Sequence, residues 1–369
     1  MFRQVLALVV KELFAVLRDG RSRTVLIGPP LIQLVVFGYA ATFDLSHVPI
    51  AVYDQDQSSA SRELVARFAG SPAFDVTAML ESEEPVNALI DARKVQMVMV
   101  IDRRFSRDLH LHRGAPVQII TDGRNSNTAL LIQGYANTIL NQFAMDWAAT
   151  HGAPSPSSIL EVRALYNPNL ASRWFIVPGI VALLTQVVTL LVVGLSVARE
   201  REMGTFDQLL VTPLRQIDIL LGKGLPGILI GVVEASVIIA ATVFWFEVPL
   251  RGGLLPLYTG LVLFVIAVTG IGLAISALSA TQQQALLGAF LFMVPSVILS
   301  GFATPIANMP AWVQVITLVN PMRYFLVIVR SVFLEGAGIP ELVSQFWPMA
   351  IIGVVTLAGA GWLFRKRAA

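Results

Sequence analysis

Six stretches of this chain are long and apolar enough to cross a bilayer: 24–43, 174–198, 224–246, 254–278, 285–303 and 346–364. A helix needs about 20 apolar residues to cross the roughly 30 Å of bilayer hydrocarbon. In a chain of 369 residues, 55% apolar and only 14% charged, with mean hydropathy +0.71, six such runs specify a polytopic α-helical membrane protein rather than a soluble globule. There is no cysteine, which excludes a disulfide framework, a thiolate metal site and a thiol nucleophile.

Charge sets the orientation. Arg3, Lys11, Arg18, Arg21 and Arg23 precede the first run, which places the N-terminus in the cytoplasm. Within residues 1–23 the polar side chains of the first 19 fall on one half of a helix. Val5, Leu6, Val9, Leu13, Val16 and Leu17 fall on the other, which predicts an amphipathic helix lying in the membrane interface. A signal peptide fits less well, because the apolar stretch 5–10 is short and Lys11-Glu12 follows it where small residues belong. Pro29-Pro30 is expected to kink or delay the first span, 24–43. Gln33 within it is an amide suited to bonding a neighbouring helix. Six crossings return the C-terminus, with Arg365-Lys366-Arg367, to the cytoplasm. The loop 199–223 on that side carries Arg199, Arg201, Arg215 and Lys223.

Residues 44–173 differ in kind, holding 14 of the 24 acids and 11 of the 26 basic residues with no long apolar run. Strands are predicted at 48–53, 74–80, 95–101 and 117–121. Helices are predicted at 58–69, from the acidic start 81–85, at 105–112 and from 126 to about 149. This alternation specifies a small α/β domain outside the membrane, on the periplasmic side, with 151–158 as a Pro- and Ser-rich linker. The remainder, 174–369, carries the other five spans. The segment 312–334 is broken by Asn320-Pro321, Arg323 and Arg330. It reads as an outer re-entrant or interfacial hairpin that protein must cover at membrane depth, with both arginines reaching toward headgroups.

A search for reaction chemistry returns little. His110 and His112 are two apart and lack the spacing of a helical zinc site. Gly222-Lys223-Gly224 resembles a phosphate loop, but that motif needs glycine at 217, where Ile217 stands, and serine or threonine at 224, where Gly224 stands. No GxSxG elbow is present. The chain is read as no enzyme, and as no binder of nucleic acid or metal. Glu234, in the middle of the run 224–246, is the exception. A carboxylate at that depth is costly, so it is a candidate for a transport role or for a protonated interhelical hydrogen bond.

Motifs spread over the whole chain resemble those of ABC-2 type permeases, the membrane subunits of ATP-binding-cassette exporters. They are Lys11-Glu12-Leu13, Tyr53-Asp54, Asp122-Gly-Arg-Asn-Ser-Asn127, Tyr166-Asn-Pro-Asn-Leu170 and the stretch from Val197 to Pro213. Later come Ser279-Ala-Thr-Gln-Gln-Gln284, Leu299-Ser-Gly-Phe-Ala-Thr-Pro305, Asn308-Met-Pro310 and Asn320-Pro321. The resemblance implies that residues 199–210 form a coupling helix docking on a cytoplasmic ATPase. Arg199, Glu200, Arg201, Glu202, Gly204, Thr205 and Gln208 would carry it. Thr281, Gln282 and Gln283 would form a second, smaller contact, and residues 1–19 the connecting helix. It further implies a second permease subunit, identical or a sister chain, and ATP with Mg on the partner rather than here. Location in a bacterial inner membrane and export of hydrophobic or drug-like solutes follow from it. Membrane lipid is a partner, and a periplasmic adaptor on residues 44–173 a further candidate. Two other classes compete: an ion-driven secondary transporter using Glu234, which would need a repeat that the inserted domain breaks, and a receptor or scaffold using that domain.

Overall fold

The computed structural model describes residues 2–18, 20–40, 45–124, 126–152, 166–167, 171–205 and 215–368. The chain divides into two compact units, residues 43–163 and the combination of 1–42 with 164–369.

The first unit is an α/β domain. Its four strands are β1 (Val48–Asp54), β2 (Phe74–Met79), β3 (Met97–Ile101) and β4 (Val117–Thr121). They lie in the order β2-β1-β3-β4, with β1 parallel to β2 and β3, and β4 antiparallel to β3. Side chains alternate along a strand, and the core follows that period. Ile50, Val52, Met97, Met99 and Ile101 face α3 (Ser59–Ala69), α5 (Phe105–His110) and α6 (Ser126–His151), through Leu64, Phe68, Phe105, Ile132 and Phe143. Ala51 and Val98 face the opposite way, against Val86 and Leu89 of α4 (Pro85–Asp91). Two acids that the sequence singled out are structural. Asp54 accepts from the amides of Asp56 and Gln57 at 3.0 Å and from Ser61 Oγ at 2.7 Å, closing the turn into α3. Asp122 binds Arg124, whose Nη2 reaches the carbonyl of Ile90. That guanidinium holds the Asp122 carboxyl down to about 2.

The second unit is helical. It contains α1 (Phe2–Arg18), α2 (Gly20–Ala40), α7 (Ser172–Glu202), α8 (Gln216–Phe244), α9 (Leu254–Leu278), α10 (Gln282–Ile298), α11 (Ala311–Ile316), α12 (Pro321–Arg330) and α13 (Ile339–Ala368). Four of these, α7, α8, α9 and α13, are long and apolar enough to cross a membrane. The bent pair Ala311–Val319 and Pro321–Glu335, at 86°, would make a fifth if it is one span. Shorter apolar helices cover Ile27–Tyr39 and Gln282–Ile298.

Three expectations need correction. Pro29-Pro30 do not delay α2, which starts at Gly20 and runs through both. The prolines lack only their own N–H groups, and a helix in apolar surroundings keeps the rest of its ladder because nothing else can satisfy it. The loop expected at 199–223 is helical at both ends, since α7 continues to Glu202 and α8 begins at Gln216, while 206–214 lie outside the described residues. Arg330 is turned inward with Nε and Nη2 buried, while Arg323 is half-buried. Arg323 donates to Thr317 Oγ1, while Arg330 lies 3.7 Å over the Phe175 ring and 3.5 Å from the carbonyl of Gly301.

α7 is the central helix. Gly227 and Gly231, four residues apart on α8, bring the two backbones together: a Cβ on Gly227 would collide with Val193 Cγ2, and one on Gly231 with Thr189 Oγ1. α12 is covered by protein, as its broken apolar sequence requires. Phe325 is fully buried and stacks on Phe264 at 4.5 Å. Asn320 caps α12 and ties it to α10, accepting from Met322 N and Ser296 Oγ and donating to the Ser296 carbonyl at 2.7 Å.

Candidate functional site

The polar end of the helical unit is built from α1, α7, α8, α9 and α10. On α1, Lys11 and Glu12 adjoin the apolar residues that seat the helix; Leu8 packs where Gly222 of α8 leaves room, its Cβ 3.0 Å from where a Cβ on that glycine would stand. Glu12 thereby meets Lys223. The Lys223 ammonium, whose side chain is 2% exposed, lies 2.6 Å from Glu12 Oε1 and 3.0 Å from Glu200 Oε1, with the Ser196 carbonyl at 3.4 Å. Lys11 reaches the same Glu200 oxygen at 2.9 Å from the solvent side. Thr205 Oγ1 donates to the other oxygen, Oε2. Two lysines and two glutamates thus form a charge-neutral cluster joining α1, α7 and α8. Lys223, Glu12 and Glu200 are buried and depend on one another, because an isolated buried ion is strongly destabilising, whereas Lys11 is half in solvent.

The neighbouring residues reach the other two helices. Arg201 donates to the carbonyls of Ala277 at 2.7 Å and Ser279 at 3.2 Å, at the C-terminus of α9. A cation there also meets the negative end of the helix dipole. Glu202 Oε2 accepts from Gln282 N at 2.8 Å, at the N-terminus of α10, where an anion is favoured. Thr281 caps the same helix by accepting from Gln284 N. Ser276 Oγ lies 3.0 Å from Val197 N and 3.1 Å from Ala198 N. Gly204, with φ +69°, closes α7: its amide bonds the Arg201 carbonyl and that of Thr205 bonds the Glu200 carbonyl, the paired pattern of a glycine helix stop.

Of the site residues read from sequence, Glu200, Arg201, Glu202, Thr205, Thr281 and Gln282 are thus drawn into one node. Arg199 is half-buried, Gly204 and Gln283 are exposed, and Gln208 lies outside the described residues. Glu200 is buried inside the bundle, Arg201 is half-buried and Glu202 stays exposed. Met203 at the tip of α7 is 59% exposed. Lys11, Glu12, Lys223 and Ser276 were not read as part of this site. Their one sequence signal was two opposite charges at the apolar edge of α1 and a single lysine at the threshold of an apolar run. Lys223 cannot serve as a phosphate-loop lysine, since its ammonium is already occupied.

Glu234 stands apart. Both carboxyl oxygens are buried with no hydrogen-bond partner among the described residues, as are the hydroxyls of Thr185 and Thr189 on α7. Neither Arg323 nor Arg330 forms an ion pair with it among the described residues. These residues also contain no group of three or more His, Asp or Glu that could hold a metal.

A family model described as an ABC-2 family transporter protein matches residues 24–362. Over 368 residues, covering all of both chains, the sequence is 38% identical to the probable multidrug ABC transporter permease YbhR of Escherichia coli K12. It is 34% identical to YbhS of the same strain, called a probable multidrug ABC transporter permease, over 99% of this chain and 97% of that one. The linearmycin resistance permease protein LnrN of Bacillus subtilis is 21% identical over 96% of this chain and 98% of its own. A match of this length, on a helical bundle with four or five candidate spans and a tied node at one end, leaves one conclusion: the chain belongs to the ABC-2 family of transporter proteins.

Proposed function

We propose that this chain is the membrane-spanning permease subunit of an ATP-binding-cassette exporter, moving hydrophobic or drug-like solutes outward across a bacterial inner membrane. A separate cytoplasmic ATPase supplies ATP, Mg and hydrolysis, and two permease subunits make one transporter. Counting α2 and α10 with α7, α8, α9 and α13 gives six crossings. The N- and C-termini then lie in the cytoplasm, the α/β unit in the periplasm and the bent pair on the outer side. The basic residues Arg18, Arg215, Arg365 and Lys366 support that orientation.

One observation carries the mechanism. The ion cluster, together with the Arg201 and Glu202 bonds, ties five helices at the end of the bundle where α7 leaves for α8. A push on that connection is therefore passed to all five as one body. A flexible loop would absorb it; a node whose charges cannot separate without being stranded does not. In this reading the side chains that touch the ATPase are the exposed ones around the node, Met203 and Gln283 among them. Buried Glu200 and half-buried Arg201 transmit, while exposed Glu202 both transmits and docks. The test is Met203→Asp in proteoliposomes with the cognate ATPase. Permease assembly and unfolding temperature should stay unchanged while solute-stimulated ATPase and export fall at least tenfold. Full export by Met203→Asp would remove the α7 tip from the docking surface.

A further inference from the structure

Between the last turns of α9 and α13 and one face of α10 lies an open groove of about 480 Å³, lined by Ile271, Leu278, Leu291, Phe292, Gly359 and Leu363 among others. Its only polar side chain is Thr356, whose hydroxyl already bonds the Ala267 carbonyl. Along α13 the lining runs from Thr356 to Leu363, about 10 Å at 1.5 Å per residue. It ends level with the last residue of α9, so the groove occupies the half of the apolar layer nearest the ion cluster. Leu278 at its edge directly precedes the α9–α10 turn, which Arg201 and Glu202 hold.

The mouth of this groove is positive. Lys366 follows Leu363 by three residues and Gly359 by seven, so it continues the same stripe of α13. Lys366 is exposed and its ammonium lies 5.4 Å over the Trp362 ring, with exposed Arg365 beside it. Neither is paired with an acid among the described residues. An apolar slot about 10 Å deep beneath an unpaired ammonium is complementary to one acyl chain beneath a phosphate. A second copy centred on this groove fits poorly, because the two-fold axis would bring Arg365 and Lys366 against their equivalents.

We propose that this groove binds an anionic phospholipid, one acyl chain lying along α13 between Thr356 and Leu363 and the phosphate at Lys366. The proposal rests on the reading of α13 as a bilayer span, not on the pairing with an ATPase. The bound chain touches Leu278, the residue before Ser279, whose carbonyl Arg201 holds, so the lipid packs next to the coupling node. Gly359 offers a clean probe, because a Cβ there meets nothing within 4 Å. Gly359→Leu would fill the groove without overpacking its neighbours.

The experiment is native mass spectrometry of the full chain released from micelles carrying phosphatidylglycerol or phosphatidylcholine. One phosphatidylglycerol per chain should survive activation, preferred over phosphatidylcholine by about fivefold, as one lysine at a membrane surface provides. Gly359→Leu should lose the retained lipid of either kind. Lys366→Glu, on an exposed side chain that leaves packing untouched, should keep binding but lose the preference. Equal retention by wild type and Gly359→Leu would overturn the proposal, as would an unchanged preference in Lys366→Glu. So would cross-linking of Leu291→Cys between copies with no lipid retained, which would make the groove an interface. A failure of ATP-driven export would count against the permease reading and leave this binding result standing.

Discussion

Lys223 has three oxygen partners and almost no access to water, whereas Lys11, bound to the same glutamate, is half in solvent. The two lysines should therefore respond very differently to truncation. Lys223→Ala takes the close partner from buried Glu12, leaving it Lys11 at 3.8 Å, and should cost about 3–5 kcal/mol of stability. Lys11→Ala should cost no more than about 1 kcal/mol, the range of a solvent-exposed pair. Thermal unfolding of both variants in the same micelle checks the contrast, and equal losses would mean that the cluster is not dry. In the α/β unit the comparable pair is exposed and titrates. Arg124 holds Asp122 at about 2, below its ordinary 3.8. Its contribution is therefore complete above about 3.8 and is lost as pH falls through about 2. Asp122→Asn should lower the unfolding temperature of that unit at pH 5 and converge on wild type near pH 2. A constant gap across that window would remove the Arg124 pair as its cause.

At the scale of elements, the bounds of α9 and the period-2 alternation of the small sheet were legible, because each depends on local pattern alone. Residues 254–278 are apolar on every face, and Ile50, Ala51 and Val52 alternate as a strand covered on both sides must. The ends of α7 and α8 were not legible. Residues 199–202 were read as the start of a separate coupling helix and 216–223 as part of the connection, yet α7 runs on to Glu202 and Gly204 sets its true end. The charges inside those turns are neutralised by residues far away in sequence, Glu200 by Lys11 and Lys223. A hydropathy pattern records that a charge exists and not where its partner lies. The close packing of α7 on α8 was equally hidden, although Gly227 and Gly231 sit four apart on one face. It leads to a compensation test. Gly227→Ala drives a methyl into Val193 and should cost about 1–3 kcal/mol. Val193→Ala in the same chain should return most of that loss, read as recovery of the unfolding temperature. If the double variant is no better than Gly227→Ala alone, the two helices are not in the close contact described.

For the molecule as a whole, the account is that five helices move as one body when the ATPase acts on the α7–α8 connection. It takes the hydrolytic chemistry to lie in another chain, as the proposed function has it. It also assigns the N-terminal helix α1 to the moving body rather than to the membrane surface alone, since Glu12 is one of the two anions that neutralise Lys223. The claim can be tested by removing the freedom it says is unused. The chain contains no cysteine, so Leu8→Cys with Gly222→Cys introduces a single possible disulfide between α1 and α8. The native Leu8 Cβ already lies 3.0 Å from the Cβ position at 222, close to the 3.5–4.5 Å that a disulfide spans. The measurement is ATP-driven export by the oxidised variant, reconstituted with its ATPase, compared with the same sample after reduction. The account predicts equal export in the two states; export abolished by the cross-link and restored by reduction would show that α1 and α8 must separate during the cycle, and would contradict it.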